Sequence, residues 1–545
     1  MSTKTPKKRT SLSGWLDEGA PGRSLATFKN CIALSGDGRG YTGCDWAAKM
    51  GFPVGMTALY AVLLGIVTWR HEMWRDELQA WLIARDSQSI ADLFHNLRYE
   101  THPALWYLLL YIPAHVSWNP VSMQVINWLL ATCNAWLILS ARRLVWYIRI
   151  LLVFGFFPFY LYGATARSYM LALLLLTAAA RCFLNEHMRP RLGLALLALA
   201  IYTHVFAIPL VGVLYVGLVY FSAPNSWRRP GGLLRKSEFW VAGAVLLASL
   251  LVAYLTIRPP ADMQSVYYGE GKSPVWDSFL MIGCRSWITF LPVPRSDLPK
   301  GWADLFVPND HPTVQSAAIS LALLALLGGS LRTRRARFIF LGSALVEAIA
   351  FAATIQSPQP WHYGFIFAGL ILALLTDAYP VPGEPRRSWF PDPVASLVMF
   401  TCLAIQVAAA VSVSAMDLVR PFSETKEAST WLKQAGYDRN PIVIDQDFVG
   451  PGLVGYMQLK RVYYSRCQCY GSFIVFNRKW GMDRNVTPQE LESIYHSAQM
   501  PVVVVTNKQL DLTTVGQLRL RPLQFFDHHP VLPSEAVFVY LQSPA

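Results

Sequence analysis

Residues 192–221 read LGLALLALAIYTHVFAIPLVGVLYVGLVYF, thirty residues without an Asp, Glu, Lys or Arg. An ordinary membrane-spanning helix takes about 20 apolar residues, so the run is too long for one span and too short for two full ones. Positive charge arbitrates, because basic residues collect on the cytoplasmic side. Taken as two short helices turning near Thr203-His204, the run puts every basic cluster on one side. These clusters are Arg142-Arg143, Arg189/Arg191, Arg228/Arg229/Arg235/Lys236, Arg332/Arg334/Arg335/Arg337 and Arg386/Arg387. The short turns on the other side, near 163–167, 204 and 356–361, then carry only Arg167. Taken as one span, the later clusters switch sides.

Working outward, further apolar runs are Phe52–Trp69, Val121–Ser140, Leu144–Tyr162, Tyr169–Phe183, Phe239–Ile257, Val314–Leu331, Phe338–Ile355, Trp361–Thr376 and Val394–Val413. With the hairpin they make eleven expected membrane helices, N-terminus inside and C-terminus outside. Leu105–Trp118 is shorter and interrupted by Pro113, which predicts a helix lying on the membrane surface. The first 51 residues, with Lys7, Lys8 and Arg9, are expected to be a cytoplasmic segment before an uncleaved first span. Composition agrees: AVILMFWYC make up 53% of the chain and DEKR only 15%, against about 25% charged in soluble domains. That excludes a purely soluble enzyme and a disordered chain. The net charge of +13 is a topology signal rather than a sign of a nucleic-acid partner. Eight cysteines in 545 residues do not form a disulfide framework.

The expected class is mainly α: a transmembrane module over 52–413 with outer loops at 70–120 and 258–313, then an extracytoplasmic α/β domain at 414–545. In that tail Pro441–Phe448, Arg461–Ser465, Gly471–Phe476, Pro501–Asn507 and Ala536–Gln542 look like strands. Thr487-Pro488-Gln489-Glu490 is a capping box with Pro at the first helical position.

The first outer loop is the most informative segment for chemistry. Asp76 and Glu77 follow the first span among aromatics, and Glu100-Thr101-His102-Pro103 precedes the surface helix. A carboxylate there can take a proton from an alcohol; the structural alternative is a solvated amphipathic helix. Arg167, in an outer turn, has the donor fork that suits a phosphate, or else snorkels to the interface. His204 sits at the apex of a broken hairpin, and interrupted helices at membrane depth often line a cavity. His362-Tyr363 opens another helix after a Pro-rich approach, as a phosphate contact or an interfacial aromatic pair. Cys467-Gln468-Cys469 offers two metal ligands with no second pair nearby.

Together these pieces resemble the GT-C superfamily of membrane glycosyltransferases, which includes the protein O-mannosyltransferases, the lipid A aminoarabinose transferase and the mycobacterial arabinosyltransferases. The matching motifs are Asp76-Glu77, Glu100-Thr101-His102-Pro103, Arg167-Ser168-Tyr169 and Ala200-Ile201-Tyr202-Thr203-His204. The resemblance implies a glycosyltransferase that takes a sugar from a polyprenyl-phosphate donor to a glycan, lipid or protein acceptor, with inversion. It implies Asp76 as general base, with Glu77 second, since neighbouring helical side chains point about 100° apart. Glu100 and His102 would shape the acceptor or sugar pocket. Arg167, with Tyr169, and His204 would face the phosphate. Where many relatives carry Arg-Tyr, this chain has His362-Tyr363, and a His is charged only part of the time near neutral pH.

The alternative function is a polytopic transporter or lipid flippase. It predicts polar groups along a midplane path and often paired repeats, whereas here the ionisable groups gather at one face. A non-catalytic scaffold leaves that clustering unexplained. No motif names a cofactor, and a divalent metal ion is left open. The expected setting is a bacterial inner membrane, in contact with membrane lipid, with the active site on the periplasmic side.

Overall fold

The computed structural model describes residues 51–184, 189–220, 237–263, 275–293, 313–355, 358–381, 383–480 and 484–542. The leader with Lys7, Lys8 and Arg9, the cluster Arg228/Arg229/Arg235/Lys236 and much of the 258–313 loop lie outside the described residues.

The protein is a mainly helical membrane protein. Six helices among the described residues are long and apolar enough to cross a bilayer: Gly51–Arg70, Val121–Leu139, Phe239–Ile257, Arg334–Thr354, Pro360–Ala378 and Asp392–Val419. Shorter apolar helices run Leu105–Val116, Ser168–Leu184, Pro190–Ile201, Ala207–Leu218 and Val314–Ser330.

One expected span differs. The run 144–162 forms a helix only over Trp146–Val153, then breaks at Gly155 and continues as a wide-turn π-helix over Phe156–Leu161. Pro158 accounts for the break, since its ring would clash with the carbonyl four residues back and it has no N–H to donate. The Pro158 carbonyl is met by the Tyr60 hydroxyl at 2.9 Å.

The run 192–221 breaks where the charge pattern requires. Pro190–Ile201 ends before Thr203-His204 and a second helix starts at Ala207. Backbone groups freed at membrane depth need partners. The Tyr202 carbonyl accepts from the Leu105 N–H at 2.8 Å, which ties the helix Leu105–Val116 to the break.

Arg143 and Arg335, from two of the basic clusters, meet at Tyr379 together with Arg181: Arg143 and Arg181 stack on its ring at 5.2 and 5.4 Å from the centre, and Arg335 donates to its carbonyl.

The tail holds a six-stranded mixed sheet: β1 (Ile442–Ile444), β2 (Val462–Tyr464), β3 (Cys469–Gly471), β4 (Val503–Thr506), β5 (Leu520–Phe526) and β6 (Val537–Gln542). The order is β3-β2-β1-β4-β6-β5, with β1 parallel to β2 and β4 and the other pairs antiparallel. The capping box forms, Thr487 N–H donating to Glu490 at 2.9 Å and Glu490 N–H to the Thr487 hydroxyl at 3.3 Å.

Two strand expectations need correcting. The third strand is 469–471, not 471–476, because Ile474 leaves the ladder. Its N–H and C=O pair instead with the side-chain amide of Gln79, at 2.9 and 2.7 Å. The sequence also gave no sign of β5, whose Pro522 breaks the strand pattern; proline is tolerated there because β5 is an edge strand.

Gln79 belongs to helix Arg75–Asp86, which is not solvated: Leu78, Trp81, Leu82 and Ile83 are fully buried. They share one apolar core with Trp106, Leu453, Val454, Val503 and Val539, so the first outer segment and the tail sheet pack as a unit.

Gly364, two residues past His362, lies under the ring of Tyr162. A Cβ there would collide with the Tyr162 hydroxyl and come within 2.7 Å of the Phe157 ring. Both rings are buried, so Gly364→Ala is expected to destabilise the bundle by about 1–3 kcal/mol, measured as thermal or denaturant unfolding in detergent.

Candidate active site

Helix Arg75–Asp86 begins right after the first span, so Asp76 and Glu77 occupy its first turn, where the helix dipole favours carboxylates. The two side chains diverge as the helical angle requires.

Glu77 turns inward and is fully buried. One of its oxygens meets His71 Nε2 at 3.0 Å and the Trp74 N–H at 3.3 Å, and the other accepts the Ala166 N–H at 2.6 Å. His71 Nδ1 reaches Asp417 at 2.8 Å, and the Tyr160 hydroxyl donates to the same carboxylate oxygen at 3.0 Å. Burial alone would push the His71 imidazole down, but the Asp417 and Glu77 carboxylates outweigh it and raise it to about 10.

Asp76 turns outward and is about a quarter exposed. Its carboxylate is 3.1 Å from Arg75 Nε and 3.2 Å from the Arg167 guanidinium. Burial opposes ionisation, and the two guanidinium groups override it, holding the carboxyl below its usual range. Arg167 arrives there because its turn is pinned. Asn127 donates to the carbonyls of Tyr162, Gly163 and Thr165 at 3.0, 2.8 and 3.1 Å, and Glu77 holds Ala166. The Arg167 guanidinium also lies 5.7 Å from the ring centre of Tyr169.

Glu100 and His102 close another side. Thr101 between them has φ 55°, a left-handed conformation that costs a β-branched residue energy. The bend lets His102 Nδ1 reach back to the Glu100 carbonyl at 2.7 Å. A carbonyl only accepts, so Nδ1 carries the proton and Nε2 is left as an acceptor. Burial, then Arg167, push His102 down to about 4, so it is neutral. Glu100 accepts from the Gln79 amide at 2.7 Å; burial raises its carboxyl to about 7 against the pull of Gln79 and Arg167.

His204 is buried among these groups, its ring 5.3 Å from His102, 5.0 Å from Tyr169 and 6.5 Å from His362. Its Nδ1 accepts the Phe206 N–H at 3.2 Å, which leaves the proton on Nε2, and Nε2 has no partner among the described residues.

The structure thus gathers Asp76, Glu100, His102, Arg167, Tyr169 and His204, with the ring of His362 at the edge. The His362 ring nitrogens lie 3.0 Å from the Gln359 N–H and from the Trp361 indole at its own helix start, and the ring accepts from one of the two. Tyr363 is not part of the cluster: it packs on Phe351 at 6.0 Å, near Arg285. Sequence reasoning missed His71, Gln79, Tyr160 and Asp417. Asp417 carried a usable signal, as an acidic residue within the last apolar helix.

Cys467 and Cys469 form a disulfide, so they are not available as a thiolate pair. Glu424, Glu427 and His528 bring ligand atoms within 4.8 Å of one another, but Glu424 already accepts the His528 N–H at 2.8 Å.

Removing His71 would leave Glu77 and Asp417 as buried carboxylates without their shared cation. His71→Ala is expected to cost about 3–5 kcal/mol of unfolding free energy. The folded His71 value lies above the ordinary unfolded value of about 6.5. The parent's stabilisation from this group should therefore be complete below that pH and be lost as pH rises toward 10. Unfolding in detergent across pH checks both, because the variant should lack that slope.

No family model and no curated protein matches the sequence. Solved structures do. ArnT from Cupriavidus metallidurans, in a structure bound to undecaprenyl phosphate, superposes with a TM-score of 0.53 at 12% identity, covering 91% of this chain and 100% of that one. The arabinofuranosyltransferase AftD from Mycobacteria aligns at 13% identity with a TM-score of 0.41, over 90% of this chain and 41% of that one. The likeness to ArnT extends over nearly the whole chain, and it shows the architecture: this chain shares the fold of ArnT.

Proposed function

We propose that the protein is an inverting glycosyltransferase, moving a sugar from a polyprenyl-phosphate donor to a glycan, lipid or protein acceptor on the periplasmic face of a bacterial inner membrane. The observation that carries the reading is the partly exposed, ionised Asp76 paired with the Arg167 guanidinium at 3.2 Å, within a GT-C fold.

Arg167 is the phosphate ligand, with the unpartnered His204 Nε2–H as a second donor. A phosphate that takes over Arg167 removes one of the two cations holding Asp76 down, so donor binding strengthens Asp76 as a base. The acceptor hydroxyl then gives its proton to Asp76 as its oxygen bonds to the sugar carbon. The bond from that carbon to the phosphate oxygen breaks on the opposite face, and the polyprenyl phosphate leaves against Arg167. His102, neutral with a free acceptor nitrogen, orients a hydroxyl. Glu77 is a positioning residue.

One observation favours a second base. Glu100, raised to about 7, has the proton affinity that suits general-base work near neutral pH. Side-by-side kinetics on folded, purified variants separate the two. Asp76→Asn is expected to lower turnover by about 10²–10⁴-fold with donor binding kept or strengthened, because Arg167 no longer has to leave a carboxylate. Glu100→Gln should lose less, and Glu77→Gln should lose folded yield rather than turnover per folded molecule. Arg167→Lys keeps the charge but not the fork, so donor affinity should fall. Near-normal turnover in Asp76→Asn with a collapse in Glu100→Gln would move the base to Glu100. Substrate crossing the membrane without bond cleavage would favour a transporter instead.

Topology is tested separately. Reporter fusions after Arg143 and Arg337 should report cytoplasm, and a fusion after Ser423 the outer side. A cytoplasmic result at Ser423 removes the periplasmic site.

A further inference from the structure

A second polar space lies toward the far end of the helix that opens with His362, lined by Arg332 and the segment 386–392. Val314–Ser330 ends, Arg334–Thr354 begins, Pro360–Ala378 ends and Asp392–Val419 begins around it. The segment leading into Asp392 folds back over this junction, its Arg387 N–H donating to the Arg332 carbonyl at 3.0 Å and its Trp389 N–H to the Gly329 carbonyl at 2.8 Å. A Cβ on Gly329 would fall 2.6 Å from the Phe390 ring and 2.8 Å from that of Trp389, so only glycine allows this closure. The result is a cavity of about 440 Å³ lined by Arg332, Arg386, Arg387, Trp389 and Asp392, among others.

Its charge is unbalanced. Arg332 is matched by Asp392 at 3.0 Å. Asp377 is occupied by the N–H groups of Arg332 and Thr333 at 3.0 and 2.7 Å, and Arg386 lies near enough to act on its charge without a contact ion pair. Arg386 and Arg387 are exposed, and among the described residues neither guanidinium makes a hydrogen bond or a contact ion pair. Two adjacent guanidinium forks over a cavity suit phosphate oxygens.

The surroundings are those of a membrane boundary. Trp389 is 60% exposed, and beyond it Val394 and Leu397 lie bare on the span that starts at Asp392. The helix Pro360–Ala378, 19 residues, rises about 28 Å, close to the thickness of a bilayer core. The cavity therefore lies about one bilayer core away from the end of the bundle that holds His362 and Asp76, at the opposite membrane boundary. We propose that it binds the phosphate of an anionic membrane lipid, whose headgroup sits on Arg386 and Arg387 and whose acyl chains run along the exposed face of Asp392–Val419. A soluble phosphate has no use for that apolar wall, whereas basic pockets between spans are suited to lipid headgroups.

The test is native mass spectrometry of the purified full chain after equilibration with equal phosphatidylglycerol and phosphatidylcholine in detergent micelles. The parent should retain phosphatidylglycerol in preference by roughly tenfold or more, and the Arg386→Gln/Arg387→Gln double variant should fall to near parity. Both side chains are exposed, and an unchanged unfolding temperature would show that the variant is folded. Should the variant unfold early, Arg386→Lys/Arg387→Lys replaces it, with a partial loss of preference expected. Equal retention of both lipids by the parent, or an undiminished preference in a folded variant, overturns the proposal. So does displacement of phosphatidylglycerol by millimolar glycerol 3-phosphate or inorganic phosphate, which would assign the pocket to a soluble phosphate.

Discussion

Everything at the site depends on the buried carboxylate of Glu77. A charge taken out of water must be met on all sides or it will not stay charged. Glu77 is met by the His71 ring, the Trp74 N–H and the Ala166 N–H. These partners come from the end of the first span, the start of the outer helix and the turn before the span at Ser168. Through His71 the same network holds Asp417, near the end of the last described span. One side chain thus fixes four segments. Its neighbour Asp76 is left facing Arg167 because Glu77 has already anchored the residue before that arginine.

The membrane imposes a second condition, that irregular backbone be paired off locally. Each interruption in the bundle meets it. The Asn127 side chain serves three carbonyls of the turn before Arg167, Tyr60 serves Pro158, and Leu105 serves Tyr202. These pairings set the positions of Arg167 and His204 more tightly than helix packing alone would. Glu347 stands apart. It is fully buried within the span Arg334–Thr354, and neither carboxyl oxygen has a partner among the described residues. Tyr162 is a near neighbour, and the structure offers no physical account of why this carboxyl is there.

Much of this was legible in the sequence because hydrophobicity and charge act locally. Apolar runs mark the long helices to within a few residues, and the excess of arginines marks one end of the bundle. The break at Thr203-His204 followed from length and charge parity. Pro158 was in plain view, yet an apolar run hides a change of helix type because every residue stays buried whichever way the chain winds. In the tail, β1, β2, β4 and β6 showed as β-branched and aromatic runs, whereas β5 was hidden by Arg521 and Pro522. At the site, Asp76 and Arg167 could be placed on one side of the membrane. Which of Asp76 and Glu77 faced the cleft was not decidable, because it turns on Ala166, His71 and Asp417. Gln79 looked like a surface residue for the same reason: what it binds is the backbone of Ile474.

The docking of Gln79 onto Ile474 spans 395 positions of chain, that of Arg75 onto Glu535 spans 460, and that of His71 onto Asp417 spans 346. A ribosome adding 5–20 residues per second needs roughly 20–80 s to separate Gln79 from Ile474. Throughout that interval the helix Arg75–Asp86 has only neighbours made soon after it, such as Trp106, to pack on, and the side later covered by Leu453, Val454, Val503 and Val539 is bare. The contacts to Asp417, Ile474 and Glu535 close only once the last span and the tail have been made, so one of the first helices of the chain is among the last to have its core completed.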